Sequence, residues 1–224
     1  MFYKTRTSKD PSLKMDFDTS IEEIHEYKSI GISIGWDCSP AIYAVYRGLR
    51  ETKEKGYNTC PFDLMITNYE GIIECIRDDF KYLCDTNFIQ LKTVNRNCEF
   101  LAFKQNEELI VNTKYNFIFN HESPDHGDLY KLESWSNGRY HFCNNNFEEF
   151  VNRYTRRIQN LRTYLASGVH IKFVISRVNG FSCDYAELVS VIKKKYPTLK
   201  FSIVMMDEKA ESRYNEYISM DFII

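Results

Sequence analysis

The sequence predicts an α/β fold: a single domain built on a mixed, mostly parallel sheet, with helices on both faces and a small β-meander inserted. Three observations carry this expectation. Ile30-Gly-Ile-Ser-Ile34-Gly alternates β-branched with small residues at strand period and runs directly into a helix start at Ser39-Pro40. The C-terminal third repeats strand, helix and strand at the lengths of a βαβ unit, which requires parallel strands. Between these parts, residues 88–119 hold three apolar clusters separated by turn-like segments, the pattern of an antiparallel meander.

Each element follows from its residues. Residues 1–28 are polar, aperiodic and interrupted by Pro11, so they form a loosely ordered arm, leaving 29–224 as the domain. In the first strand, the alternate small residues Gly31, Ser33 and Gly35 open one face to close packing. In the helix that follows, capped by Ser39, the spacing of Ile42, Val45, Tyr46 and Leu49 predicts a buried stripe. Thr67-x-x-Glu70 has the capping-box pattern of a second helix, which buries Ile72, Ile73, Ile76, Phe80 and Leu83. Residues 123–146, rich in Asn, Gly, Ser and Asp, predict a long loop. Asn146-x-x-Glu149 then caps a long helix with the stripe Phe147, Phe150, Val151, Tyr154, Ile158, Leu161 and Leu165; Arg153, Arg156 and Arg157 are assigned to its solvated face. Residues 172–175 read as a strand, Asp184-x-x-Glu187 as the cap of the next helix, and 201–206 as a second buried strand.

Composition excludes several function classes. Lys and Arg total 29 against 31 Asp and Glu, a net charge of −2, which argues against nucleic acid as a partner. The longest apolar run is six residues, 41–46, far short of a membrane span, and no apolar core follows the basic N-terminus as a signal peptide requires. The seven cysteines form no C-x-x-C and no zinc module, and none of the 17 asparagines sits in an N-x-S/T acceptor. The expectation is reduced thiols in a cytosol-like compartment, with neither metal nor other cofactor. Oligomeric state leaves no mark.

The chemistry concentrates in residues 30–49. Cys38 lies between a strand end and a helix start, where free backbone N–H groups and the positive helix pole favour a thiolate. A thiol nucleophile needs a base, most often histidine. Of the five histidines, His121 ends a strand and is favoured, with His126 second. Asp63, in a constrained apolar context after Pro61, is the candidate to orient the imidazole; tethering a loop to backbone N–H groups is its alternative role. Asp37, beside Cys38, would raise the thiol pKa. Backbone N–H groups at the Ser39–Ala41 helix start are the expected donors to a developing oxyanion. Ligands of such sheets bind beyond the carboxyl ends of the strands. Arg177, Asn179 and Asp207 follow the later strands and are therefore the expected substrate contacts. Cysteine-phosphatase chemistry is set aside, because the first Arg after Cys38 is Arg47, nine positions on and inside a helix. The His and Asp residues between His121 and Asp128 match no zinc spacing.

These residues resemble a family of unknown function, with bacterial and viral members, that carries the label of papain-like cysteine peptidases. The matching marks are S-x-G-x-x-C (Ser33 to Cys38), P-F-D (Pro61-Phe62-Asp63), the Asp79-Phe80 pair and the histidine after a strand, His121; they span roughly 29–178. The family's tryptophan after P-F-D is Leu64 here. The resemblance implies Cys38 as nucleophile and His121 as base, and offers a papain-like α+β fold as the alternative architecture. The function expected is a cysteine-dependent hydrolase or acyltransferase acting on a peptide, amide or ester. A non-catalytic binding or processing module and a sugar or nucleotide transferase are the rival readings.

Overall fold

The computed structural model describes residues 28–176 and 185–206. Strands β1 (Ser29–Ser33), β5 (His170–Ile175) and β6 (Phe201–Met205) form a parallel sheet in the order β1-β5-β6. Strands β2 (Ile89–Thr93), β3 (Glu108–Asn112) and β4 (Phe117–Ile118) form the antiparallel meander. A short extended segment joins the two. Ile66 pairs with Ile118 of β4, while Thr67 donates its N–H to the Trp36 carbonyl at 2.8 Å. The mixed architecture predicted from sequence is therefore present.

Helices cover both faces of the parallel sheet. Helix α1 (Ser39–Tyr46) packs on one face through Ala44, against Val174 and Met206. Helices α2 (Tyr69–Arg77), α4 (Asn144–Ala166) and α5 (Ala186–Lys195) enclose the main core on the other, where Ile32, Phe173 and Ile175 meet Ile76, Ile158, Leu161, Leu188 and Ile192. The small residues of β1 admit the close approach their alternation predicts. A Cβ added at Gly31 would lie 2.8 Å from Leu49 Cβ and 3.3 Å from Ala44 Cβ. That closeness overturns the predicted α1 stripe. A helix this near the sheet buries Pro40, Ala41 and Ala44, and turns Ile42 (63% exposed) and Tyr46 (83% exposed) outward.

Other boundaries shift for identifiable reasons. The cap of α2 is Asn68, whose side chain accepts from the Gly71 N–H at 2.8 Å; the Thr67 hydroxyl is taken by the Trp36 N–H at 2.7 Å. The residues predicted to be buried, Ile72 to Leu83, are buried, but α2 ends at Arg77; Phe80 and Leu83 reach the core from the turns that follow, where Asp79 and Phe80 take left-handed backbone. The stretch 123–146 is not one loop but a chain of short helical turns that includes α3 (Leu129–Leu132), with Trp135 and Phe142 buried in the core. Helix α4 opens through a left-handed stretch, Asn145 to Phe147, before its buried face of Phe150, Tyr154, Ile158 and Leu161. Strand β6 is half-buried along its length rather than buried, as suits an edge position. Among the described residues no helix is long and apolar enough to cross a membrane.

Candidate active site

The β1–α1 junction is a tight reversal. Gly35 (φ 86°) and Trp36 (φ 94°) both take left-handed backbone, and a Cβ on Gly35 would fall 2.3 Å from the Thr67 hydroxyl oxygen. Left-handed backbone at a residue as bulky as Trp36 persists only where its surroundings over-determine it. Here both backbone groups of Trp36 are bonded to Thr67, and the indole is buried against Ile66, Phe103 and Ile118. Cys38 follows as the N-cap of α1 itself, one residue earlier than the sequence suggests, with its thiol half-buried.

This thiol is not a ready-made thiolate. Burial pushes its pKa up, the Asp37 carboxylate adds to the rise, and a backbone hydrogen bond offsets only part of it. The expected helix-pole activation is therefore overridden. The oxyanion donors are also fewer than expected: the Ser39 N–H is taken by Asp37 Oδ1 at 2.8 Å and Pro40 has none, which leaves that of Ala41.

His121 sits in a 3-10 turn, Asn120–Glu122, directly after β4. Burial holds its pKa below the ordinary histidine value; Glu122 and Glu133 act to raise it, Arg157 and Arg153 to lower it. The imidazole is consequently neutral at neutral pH, the protonation state a base requires. His126 stacks edge-on against His121, with ring centroids 5.8 Å apart, and against Phe103 at 5.6 Å. Burial and the neighbouring His121 depress its pKa to about 4. Among the described residues, Cys38 and His121 do not hydrogen-bond to each other.

Asp63 is fully engaged elsewhere. Oδ1 accepts from Arg50 at 2.7 Å, and Oδ2 accepts from the Cys60 N–H at 2.7 Å and the Tyr57 hydroxyl at 3.1 Å. No bond reaches His121, so the carboxylate anchors the loop that carries Pro61-Phe62-Asp63, the alternative role named for it above. Arg177, Asn179 and Asp207 lie outside the described residues; of the strands that precede them in the chain, β5 runs parallel beside β1 and β6 parallel beside β5. In the segment after His121, Asp125 pairs with Arg139 and Asp128 with Lys131. Among the described residues no three His, Cys, Asp or Glu side chains gather as a metal ion would need.

Sequence reasoning missed the group that surrounds His121. Glu122 is completely buried; Oε1 accepts from Arg153 and faces Arg157, each at 3.0 Å, and Oε2 accepts from the Tyr154 hydroxyl at 3.0 Å. Arg157, assigned above to a solvated face, is 6% exposed. A signal was present: Arg157 stands three residues after Tyr154 and four before Leu161, within the apolar stripe.

The architecture, a cysteine-bearing helix packed on a parallel sheet to which an antiparallel meander is joined, is consistent with a papain-like α+β fold. No curated protein and no solved structure matches the chain. The model of the family described as "Putative papain-like cysteine peptidase (DUF1796)" matches residues 30–210, and the chain belongs to that family.

Proposed function

We propose that the protein is a cysteine-dependent hydrolase or acyltransferase of the peptidase type, with Cys38 as nucleophile and His121 as base. The observation that carries this reading is the position of Cys38: the N-cap of α1 at the carboxyl end of β1, half-exposed, where Cys60 and Cys75 are sealed in the core. Family membership over residues 30–210 supports it.

The two pKa directions favour one form of the mechanism. A thiol pushed up and an imidazole pushed down make a neutral pair rather than a standing thiolate–imidazolium pair. Proton transfer then accompanies attack. Cys38 Sγ bonds to the carbonyl carbon as its proton passes to His121, and the Ala41 N–H, the helix-start donor that Asp37 and Pro40 leave, serves the oxyanion. On collapse, His121 returns the proton to the departing amine or alcohol. Water, or an acceptor amine in the transferase case, resolves the thioester with His121 again as base. Catalytic hydrogen bonds commonly tighten only with substrate bound, and this reading requires such closure between Cys38 and His121. In the same reading the substrate lies over the edge shared by β1, β5 and β6, beyond which the chain continues to Arg177, Asn179 and Asp207.

The test is labelling by a peptidyl electrophile that reacts as an acylating agent does. Wild type is expected to be modified at Cys38, with the modification lost in Cys38→Ser and slowed at least tenfold in His121→Ala. Equal labelling of wild type and Cys38→Ser would remove the reading. The raised thiol pKa favours one alternative, a non-catalytic binding module in which the Cys38 turn is a packing device. Wild-type function of Cys38→Ala in cells would support it.

A further inference from the structure

The assignment of Asp63 to a loop anchor leaves open what holds the candidate base, and the surroundings of His121 answer it. Three side chains of one helix, Arg153, Tyr154 and Arg157, converge on the single buried carboxylate of Glu122, the next residue in the chain. The cradle is packed from outside as well. The Arg153 guanidinium lies 4.1 Å over the Phe142 ring, and that of Arg157 lies 4.7 Å over Tyr154. On the other flank, Ser123 Oγ accepts from the Ile110 N–H at 2.9 Å and donates to the Phe119 carbonyl at 2.8 Å. The Phe119 ring rests edge-on against Phe150 and Tyr154, with centroids 4.6 and 4.8 Å away. A buried ion set of this kind adds little net stability over a well-packed apolar set of the same volume; what it supplies is fixed geometry.

We propose that Glu122 is the positioning residue of the candidate base, fixing the place and the charge environment of His121 from within the Arg153–Tyr154–Arg157 cradle. The proposal rests on His121 being that base. The charged and titratable groups facing His121 are Glu122 on its own turn, His126 on the next, Glu133 beyond α3, and Arg153 and Arg157 on α4. Glu122 shares the Asn120–Glu122 turn with His121, and among the described residues it alone is hydrogen-bonded to Arg153 and Tyr154 and ion-paired with Arg157.

The experiment is a titration of His121 by NMR on the full-length chain carrying isotope-labelled histidine, for wild type, Glu122→Gln and Arg153→Gln. Removing the negative charge lowers the His121 titration midpoint, and removing the Arg153 cation raises it. Opposed shifts are the expected result, and general loosening of the turn does not produce them. Midpoints that stay with wild type, or that move the same way in both variants, overturn the proposal. Should Glu122→Gln fail to fold, Arg153→Gln decides alone, since Arg153 is about a quarter exposed: an upward shift sustains the proposal and no shift overturns it. None of these readouts involves Cys38. A silent Cys38 alongside opposed His121 shifts would end the enzyme reading, and the positioning role with it, while leaving the coupling of Glu122 to His121 in place, so the two failures are distinguishable.

Discussion

The turn bearing Cys38 and the turn bearing His121 are built by different means. Backbone geometry places Cys38: two left-handed residues, a close glycine contact with Thr67, and the first turn of a helix. Side chains hold His121: a buried carboxylate, two arginines, a tyrosine and a run of aromatic rings. The difference teaches what each half contributes. The cysteine turn leaves the thiol half-exposed with its pKa pushed up, and the histidine turn holds the imidazole pKa down. In the proposed mechanism neither half acts alone. The Asp63 carboxylate of the P-F-D turn does not reach His121, though its charge acts on Arg157.

The contrast can be broken from either side. The largest effect is expected outside both turns, at the anchor of the P-F-D loop. Asp63→Ala strips Arg50, whose side chain is 6% exposed, of its carboxylate, and chemical denaturation should show a loss of about 3–5 kcal/mol. On the backbone half, Gly35→Ala forces a Cβ against Thr67 in left-handed backbone. About 1–3 kcal/mol should be lost, and Cys38 should lose any selectivity in alkylation.

Acid sharpens the comparison, because two neighbouring histidines on the histidine side, His121 and His126, have depressed pKa values. His126 titrates near 4 when folded against an ordinary ~6.5 when unfolded, so between those values the unfolded chain binds the extra proton. Its contribution to stability is intact above about pH 6.5 and is lost progressively as pH falls toward 4. A denaturation series over that range should flatten in His126→Gln. A smaller effect is expected at the thiol. Asp37→Asn removes one of the two causes raising the Cys38 pKa and should speed its alkylation at neutral pH on the order of a few-fold. Smallest of all, Arg77→Ala breaks an ion pair with Glu187 that is more than half exposed on both sides; thermal melts should place the change within about 0.5 kcal/mol.

Sequence periodicity made the strands, the α2 and α4 stripes and the strand–Cys–helix junction legible, because each is a local pattern of small and apolar residues. It misplaced the buried face of α1, since the closeness of that helix to the sheet is set by Gly31 and Leu49, which its own spacing does not report. It also misread Arg153 and Arg157 as solvated. Charge on a helix is usually exposed, and only the fold brings Glu122 in from a turn some thirty residues away. The Asp63 alternatives could not be separated from sequence for the same reason: Arg50 and Tyr57 reach it through the folding of one loop.

The most direct test of the neutral-pair mechanism is the rate of acylation by p-nitrophenyl acetate at each of the seven cysteines, resolved by mass spectrometry across pH, in wild type and His121→Ala. The account predicts that Cys38 is acylated faster than the half-buried Cys98 and Cys143, and that this advantage disappears in His121→Ala. A Cys38 no faster than those two, or one whose rate is unchanged without His121, would contradict it.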